Sequence, residues 1–135
     1  MRDEEYYIKK QRKKWERKYA EKMNKKASRI ISWLRDKESI ASISELGNYK
    51  TEIVDSGGQS YIRIYDEKGN LVDEGHFVYQ QTDYVYVIRG SVIKKYKLEN
   101  GRLKLLGVVA GNRVEYCDEE PYKSHIKYND KEDEG

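Results

Sequence analysis

The hydrophobic pattern of this sequence changes its period once, near residue 48, and this change constrains the fold more than any other feature. Before it, apolar side chains recur at the three- and four-residue spacing of a helix. After it, apolar and polar residues alternate, as they do in half-buried strands. This order predicts an α+β protein with a helical segment over residues 1–47, an antiparallel β domain over residues 48–128 and an acidic tail over residues 129–135.

One long helix is predicted from about residue 4 to residue 36. Neither Gly nor Pro occurs before Gly47, and residues with high helix propensity dominate this segment. Seven apolar side chains share one arc of the helix and six basic side chains share the opposite arc. The apolar arc contains Trp15, Tyr19, Met23, Ala27, Ile30, Ile31 and Leu34, and the basic arc contains Lys14, Arg17, Lys18, Lys22, Lys25 and Arg29. The pattern predicts a basic amphipathic helix that packs on the β domain or on the same helix of a second copy.

Three more apolar residues, Ile40, Ile43 and Leu46, follow at a spacing of three. If the first helix continued, they would fall on its basic arc. We therefore expect a break between residues 36 and 39 and a short second helix. It would end at Gly47, because glycine tolerates the positive φ that a helix C-terminus requires.

Seven segments with alternating character are predicted as strands, and an eighth over residues 122–128 is weaker. The seven cover residues 49–55, 60–66, 71–79, 83–89, 92–98, 102–109 and 113–117. Asn100-Gly101 is a strong signal for a two-residue hairpin turn. This turn sets a register in which Glu99 faces Arg102 and Leu98 faces Leu103. Short turns throughout predict a meander of six to eight strands, either an open curved sheet or a small barrel.

Charge is divided unevenly along the chain, although the overall net charge is only +3. Residues 1–37 hold 14 Lys and Arg against 6 Asp and Glu, a net charge of +8. Residues 38–135 hold 13 basic and 18 acidic residues, a net charge of −5. Such asymmetry is typical of proteins with a charged partner, and the basic segment favours an anionic one.

Residues suited to catalysis or metal binding are few. The chain has two histidines, His76 and His125, and one cysteine, Cys117, at spacings that do not match a zinc site. Ser56-Gly57-Gly58 lacks the Lys and the following helix of a phosphate-binding loop, so a hairpin turn explains it. No enzyme activity, cofactor or metal is therefore expected.

Two surfaces indicate a binding function. The six residues of the basic arc suit nucleic-acid phosphates, DNA or RNA. In the β domain, Tyr61, Arg63 and Tyr65 alternate with isoleucines, and Tyr84 and Tyr86 alternate with valines, so that unpaired bases have a stacking surface. Tyrosine is also common in strands for its β propensity alone.

An interaction protein or inhibitor is the alternative. Short chains rich in Lys, Glu, Asn and Tyr are frequent among phages and mobile elements, and the basic helix would then dock on an acidic or nucleic-acid-binding host protein. A homodimer through the N-terminal helix is a further expectation. No apolar run approaches the roughly 20 residues that span a bilayer, and the charged N-terminal residues lack the apolar core expected of a signal peptide. We therefore do not expect a membrane as the partner, and we expect a cytoplasmic location.

Overall fold

The computed structural model describes residues 2–119 of the 135-residue chain. In this part, one long helix precedes nine strands that form two open sheets. The elements are α1 (Arg2–Asp36), β1 (Ala41–Ser42), β2 (Lys50–Ser56), β3 (Gln59–Tyr65), β4 (Leu71–Gly75), β5 (Phe77–Gln81), β6 (Tyr84–Arg89), β7 (Val92–Glu99), β8 (Arg102–Ala110) and β9 (Arg113–Cys117). The predicted strand over 122–128, the acidic tail and His125 lie outside the described residues.

The long helix is confirmed, and it ends in a Schellman motif. The Ser39 amide donates to the Leu34 carbonyl at 2.9 Å, and the Glu38 amide donates to the Arg35 carbonyl at 3.0 Å. These two bonds satisfy carbonyl groups that the last helical turn leaves without partners. Glu38 occupies the position that favours glycine, with φ of 53°.

The predicted second helix is wrong. After α1 the chain is extended, and its short strand β1 pairs in parallel with β5. Ser39, a residue of the predicted break, instead hydrogen-bonds through its hydroxyl to the backbone of Ala41. The side chains of Ile40, Ile43 and Leu46 pack into the hydrophobic cluster between the two sheets. A spacing of three also fits an irregular extended segment whose apolar side chains enter the core. Tertiary packing decides whether such a segment becomes a helix or stays extended.

The strands form a mostly antiparallel meander in two open sheets, and no barrel closes in the described part of the chain. One sheet has six strands in the order β1-β5-β6-β7-β8-β9, and the other has three in the order β2-β3-β4. Neighbouring strands are antiparallel except for the parallel pair β1 and β5.

The predicted strand over residues 71–79 divides at His76, where the chain passes from the small sheet to the large one. β4 pairs with β3, whereas β5 pairs with β6. The His76 amide donates to the Ile88 carbonyl at 2.8 Å. Gly75 makes this close crossing feasible, because a Cβ there would lie 2.7 Å from Cγ1 of Val87. Apolar side chains occur on both sides of the crossing, and neither Gly75 nor His76 is a specific sequence signal for a change of sheet, so the pattern does not reveal it.

The hairpin register predicted from Asn100-Gly101 is confirmed. Glu99 pairs with Arg102, Leu98 with Leu103, and Lys97 with Lys104. The two lysine side chains are 38% and 54% exposed, as like charges on opposite strands require.

Three layers result, with the six-stranded sheet in the middle. The helix covers one face of this sheet, and the three-stranded sheet and the segment after α1 cover the other. Strand β6 shows the division, because Tyr86 and Ile88 point to the helix while Val85 and Val87 point to the small sheet. Ala20, Met23, Ala27, Ile30 and Leu34 supply the buried side of the helix. The predicted packing of the helix on the β domain is confirmed for Met23, Ala27, Ile30 and Leu34, and Ala20 is a buried position outside the predicted arc.

Candidate functional site

A cavity of about 650 Å³ opens between one flank of α1 and the six-stranded sheet. The helix supplies most of its lining, strands β6 and β7 supply its floor, and the segment after β9 closes one side. The lining residues are Trp15, Lys18, Tyr19, Lys22, Met23, Lys25, Lys26, Arg29, Tyr86, Lys95 and Glu119. The volume falls in the range of small-molecule and cofactor sites.

Six of the lining residues are cations and one is a carboxylate. Lys18, Lys22 and Lys25 lie three or four residues apart, so the helix period brings them to one side. Their side chains and that of Arg29 are exposed at the rim. Lys95 reaches the cavity from β7, where it lies directly opposite Tyr86 of β6. Cations gathered around a concave surface focus a positive potential on whatever occupies it.

The interior of the cavity is aromatic and apolar. Tyr86 is only 7% exposed and packs in the core beneath the helix, beside Met23. Lys26 lies 5.5 Å from the centroid of the Tyr86 ring, and Lys95 lies 4.7 Å from that of Tyr84. These cation–π contacts hold ammonium groups at the edge of an apolar floor. The cavity therefore combines aromatic and apolar side chains with a surrounding positive charge.

Tyr19 places a buried hydroxyl beside strand β8. A Cβ at Gly107 would overlap this hydroxyl, so only glycine leaves room for it. The oxygen has no hydrogen-bond partner of good geometry among the described residues. Burial raises the pKa of Tyr19 well above its ordinary value, and the neighbouring Glu119 raises it further. The phenol therefore stays protonated, with the Glu119 carboxylate as a neighbouring acceptor.

Lys95 and Glu119 form an ion pair at 2.5 Å. Each side chain is 17% exposed, so solvent screens the pair little. Burial acts to lower the pKa of Lys95, but the hydrogen bond and charge of Glu119 outweigh it, so this pKa lies above its ordinary value. Glu119 thus neutralises one of the six cations, and the remaining five keep the cavity positive.

The structure brings together four of the six residues predicted for the basic arc. Lys18, Lys22, Lys25 and Arg29 line the cavity. Lys14 and Arg17 are exposed on the helix but are not part of the lining. The positive surface therefore continues beyond the cavity toward the N-terminal half of α1.

The predicted tyrosine surface is divided between two sides of the molecule. Tyr84 and Tyr86 lie on the helix-facing side of the six-stranded sheet. Tyr61 and Tyr65 lie on β3 of the other sheet, where Tyr61 stacks on His76 with ring centroids 4.6 Å apart. Arg63, from the same strand, pairs with Glu74 at 3.4 Å. The sequence alternation shows that β6 has two faces but not that both are covered. The helix covers the face with Tyr86 and the small sheet covers the other, so Tyr86 is not an open stacking surface.

Several lining residues do not stand out in the sequence as site residues. Trp15 and Tyr19 belong to the predicted apolar arc, and the structure places them at its margin, in the cavity lining. Lys26, Lys95 and Glu119 have no sequence signal of their own. The pairing of β6 with β7 places Lys95 directly beside Tyr86, so Lys95 can be assigned to the site once this register is known.

The described part of the chain has few groups suited to metal binding or nucleophilic catalysis. Within residues 2–119, no three or more His, Cys, Asp or Glu side chains are grouped so as to hold a metal ion. Cys117 is half-buried, and burial raises the pKa of its thiol, which disfavours the reactive thiolate. No helix in the described region has the length and apolar character needed to cross a membrane.

The fold and the cavity define an α+β protein with an open, mostly antiparallel sheet and a cationic aromatic site. No family model, curated protein or solved structure matches the chain.

Proposed function

We propose that this protein binds nucleic acid through its phosphate backbone, with the cations of the cavity and of the adjoining helix as the main contacts. The observation that carries the proposal is the ratio of six cations to one carboxylate around a single concave surface. Neutralising a phosphate releases counterions, and this release drives binding with little dependence on base sequence.

The proposal also accounts for the basic amphipathic pattern of the helix. The apolar side of α1 is used inside the chain, against the six-stranded sheet. The exposed cations Lys14, Arg17, Lys18, Lys22, Lys25 and Arg29 are left for a partner. They extend the positive surface of the cavity along the helix, as a backbone-binding surface requires.

Salt dependence tests the proposal directly. Affinity for a fluorescent oligonucleotide of random sequence is measured at several salt concentrations. Four to six phosphate contacts give a slope of roughly −3 to −5 in a plot of log K against log salt. Absence of binding to every single- and double-stranded DNA and RNA probe at low salt contradicts the proposal.

Two charge-matched variants locate the surface. The triple variant Lys18→Glu, Lys22→Glu, Lys25→Glu removes three cations of the cavity and should abolish retardation at moderate salt. The control is Lys50→Glu, Lys68→Glu, Arg102→Glu, which alters net charge equally at exposed positions outside the cavity. Equal losses in both variants would mean that overall charge, rather than this surface, controls binding.

An interaction protein or inhibitor is the second candidate. Its support is a set of exposed apolar side chains on the three-stranded sheet: Ile53, Leu71 and Val72. Apolar side chains exposed on both outer strands of this sheet suit a protein contact better than a nucleic acid. A pull-down from nuclease-treated lysate distinguishes the two functions. A stoichiometric protein partner that survives nuclease, together with no affinity for purified oligonucleotides, favours the second candidate.

A further inference from the structure

We infer that the cavity accepts an unpaired base, so that the protein prefers single-stranded nucleic acid to duplex. This inference rests on the proposed function and specifies its substrate class. The cavity combines a volume of about 650 Å³ with an aromatic interior and a cationic rim. An outer helix surface with cations alone would serve duplex and single strand alike.

The interior matches the chemistry of a base. Trp15, Tyr19 and the largely buried Tyr86 contribute aromatic atoms to the lining, and every base has a π-face that can stack on an aromatic ring. In a duplex the bases are paired and stacked inside the helix, so only phosphate and sugar reach a protein cavity. An unpaired base is free to leave the strand and enter.

The polar groups inside the cavity match the edge of a base. The Tyr19 hydroxyl is buried against Gly107 of β8, so it does not itself face a ligand. Beside it lie the Glu119 carboxylate and the Lys95 ammonium group, an acceptor and a donor. Base edges carry both donors and acceptors, so they can pair with either group.

The rim matches the backbone of the same strand. Lys18, Lys22, Lys25 and Arg29 occupy four positions over residues 18–29 of the helix, and the first and last are about 16 Å apart along its axis. A single strand that follows this row passes several phosphates over the cations while one base turns inward. The row and the aromatic interior then act on neighbouring parts of one ligand.

The test compares one oligonucleotide as a single strand and as a duplex, at the same salt concentration. We expect tighter binding of the single strand. Trp15→Ala should weaken single-strand binding about 5- to 100-fold, the usual effect of losing one base–aromatic stack, and should leave duplex binding unchanged. Trp33→Ala is the matched control, because Trp33 is a half-exposed tryptophan of the same helix that packs on Tyr79, outside the cavity lining.

Fluorescence gives a second readout that does not depend on a stability loss in the alanine variant. Trp15 and Trp33 are the two tryptophans of the chain, so Trp33→Phe leaves Trp15 as the sole tryptophan. Stacking of a base on Trp15 should quench its emission with the single strand and not with the duplex. Circular dichroism confirms that each variant is folded.

The outcomes separate the two proposals. Equal affinity for single strand and duplex, with no quenching of Trp15, overturns the unpaired-base inference and leaves phosphate binding standing. No affinity for either ligand overturns both. A preference for single strands that Trp15→Ala and Trp33→Ala reduce equally also overturns the inference, because the cavity would then not be the base-binding site.

Discussion

Tyr96 donates its hydroxyl hydrogen to Oδ2 of Asp73 at 2.6 Å, and this bond joins the two sheets. Tyr96 belongs to β7 of the six-stranded sheet, and Asp73 belongs to β4 of the three-stranded sheet. The Asp73 side chain is 8% exposed and also lies 3.4 Å from Nζ of Lys94. A buried carboxylate is thus held by one hydroxyl and one ammonium group from β7 and by the backbone amide of Glu74, which donates to Oδ1 at 2.7 Å.

Removing this hydroxyl should destabilise the protein. In Tyr96→Phe the buried carboxylate loses one of its two neutral donors and keeps the Glu74 amide, which costs about 1–3 kcal/mol of unfolding free energy. Urea denaturation measures the loss. Tyr116→Phe is the control, since Tyr116 is 44% exposed. Equal stabilities of the two variants would contradict the assigned role of the hydrogen bond.

Alkaline pH should weaken the fold through buried tyrosines. Burial raises the pKa of Tyr19, Tyr86 and Tyr96, and the hydrogen bond to Asp73 raises that of Tyr96 further. The unfolded chain releases these protons near pH 10 while the folded chain retains them, so their contribution is complete below pH 10 and declines above it. The melting temperature, measured from pH 8 to 11.5, should fall above pH 10. The decline should be less steep in Tyr96→Phe, and an equal slope would contradict this account.

Replacing Glu38 with glycine should stabilise the protein. Glu38 ends the Schellman motif with φ of 53°, a conformation that costs a non-glycine residue free energy and glycine almost none. We expect a gain of about 0.5–1 kcal/mol from Glu38→Gly. Glu38→Ala, which retains a Cβ, should bring no such gain. Thermal unfolding of both variants tests the prediction, and equal shifts would indicate that loss of the Glu38 charge is responsible.

Gly107 and Tyr19 should show strong energetic coupling. A methyl group at position 107 overlaps the Tyr19 hydroxyl, and the ring carbon Cζ would lie 3.1 Å away. Gly107→Ala alone should therefore cost about 1–3 kcal/mol through overpacking. In the background Tyr19→Phe, which lacks the hydroxyl, most of this cost should disappear. A double-mutant cycle by urea denaturation measures the coupling, and additive effects would show that the contact is relaxed in solution.

The candidate site was predictable only in part. The period of the helix places Lys18, Lys22, Lys25 and Arg29 on one side, and this follows from sequence spacing alone. The partners that make a cavity of this surface, Tyr86 and Lys95, come from strands more than 50 residues further along the chain. Their position depends on how the helix crosses the sheet, and a local pattern does not contain that information.

The sequence by itself determined the features that depend on neighbours in the chain. These are the long helix, the positions of most strands and the register of the hairpin at Asn100-Gly101. Helix propensity, alternation and turn chemistry act over a few residues, so they can be read directly. Tertiary structure alone decided the extended path of residues 37–49, the crossing between sheets at His76 and the burial of Tyr86 under the helix. Each of these depends on which apolar faces cover one another, and alternation shows that a strand has two faces without showing what packs on either.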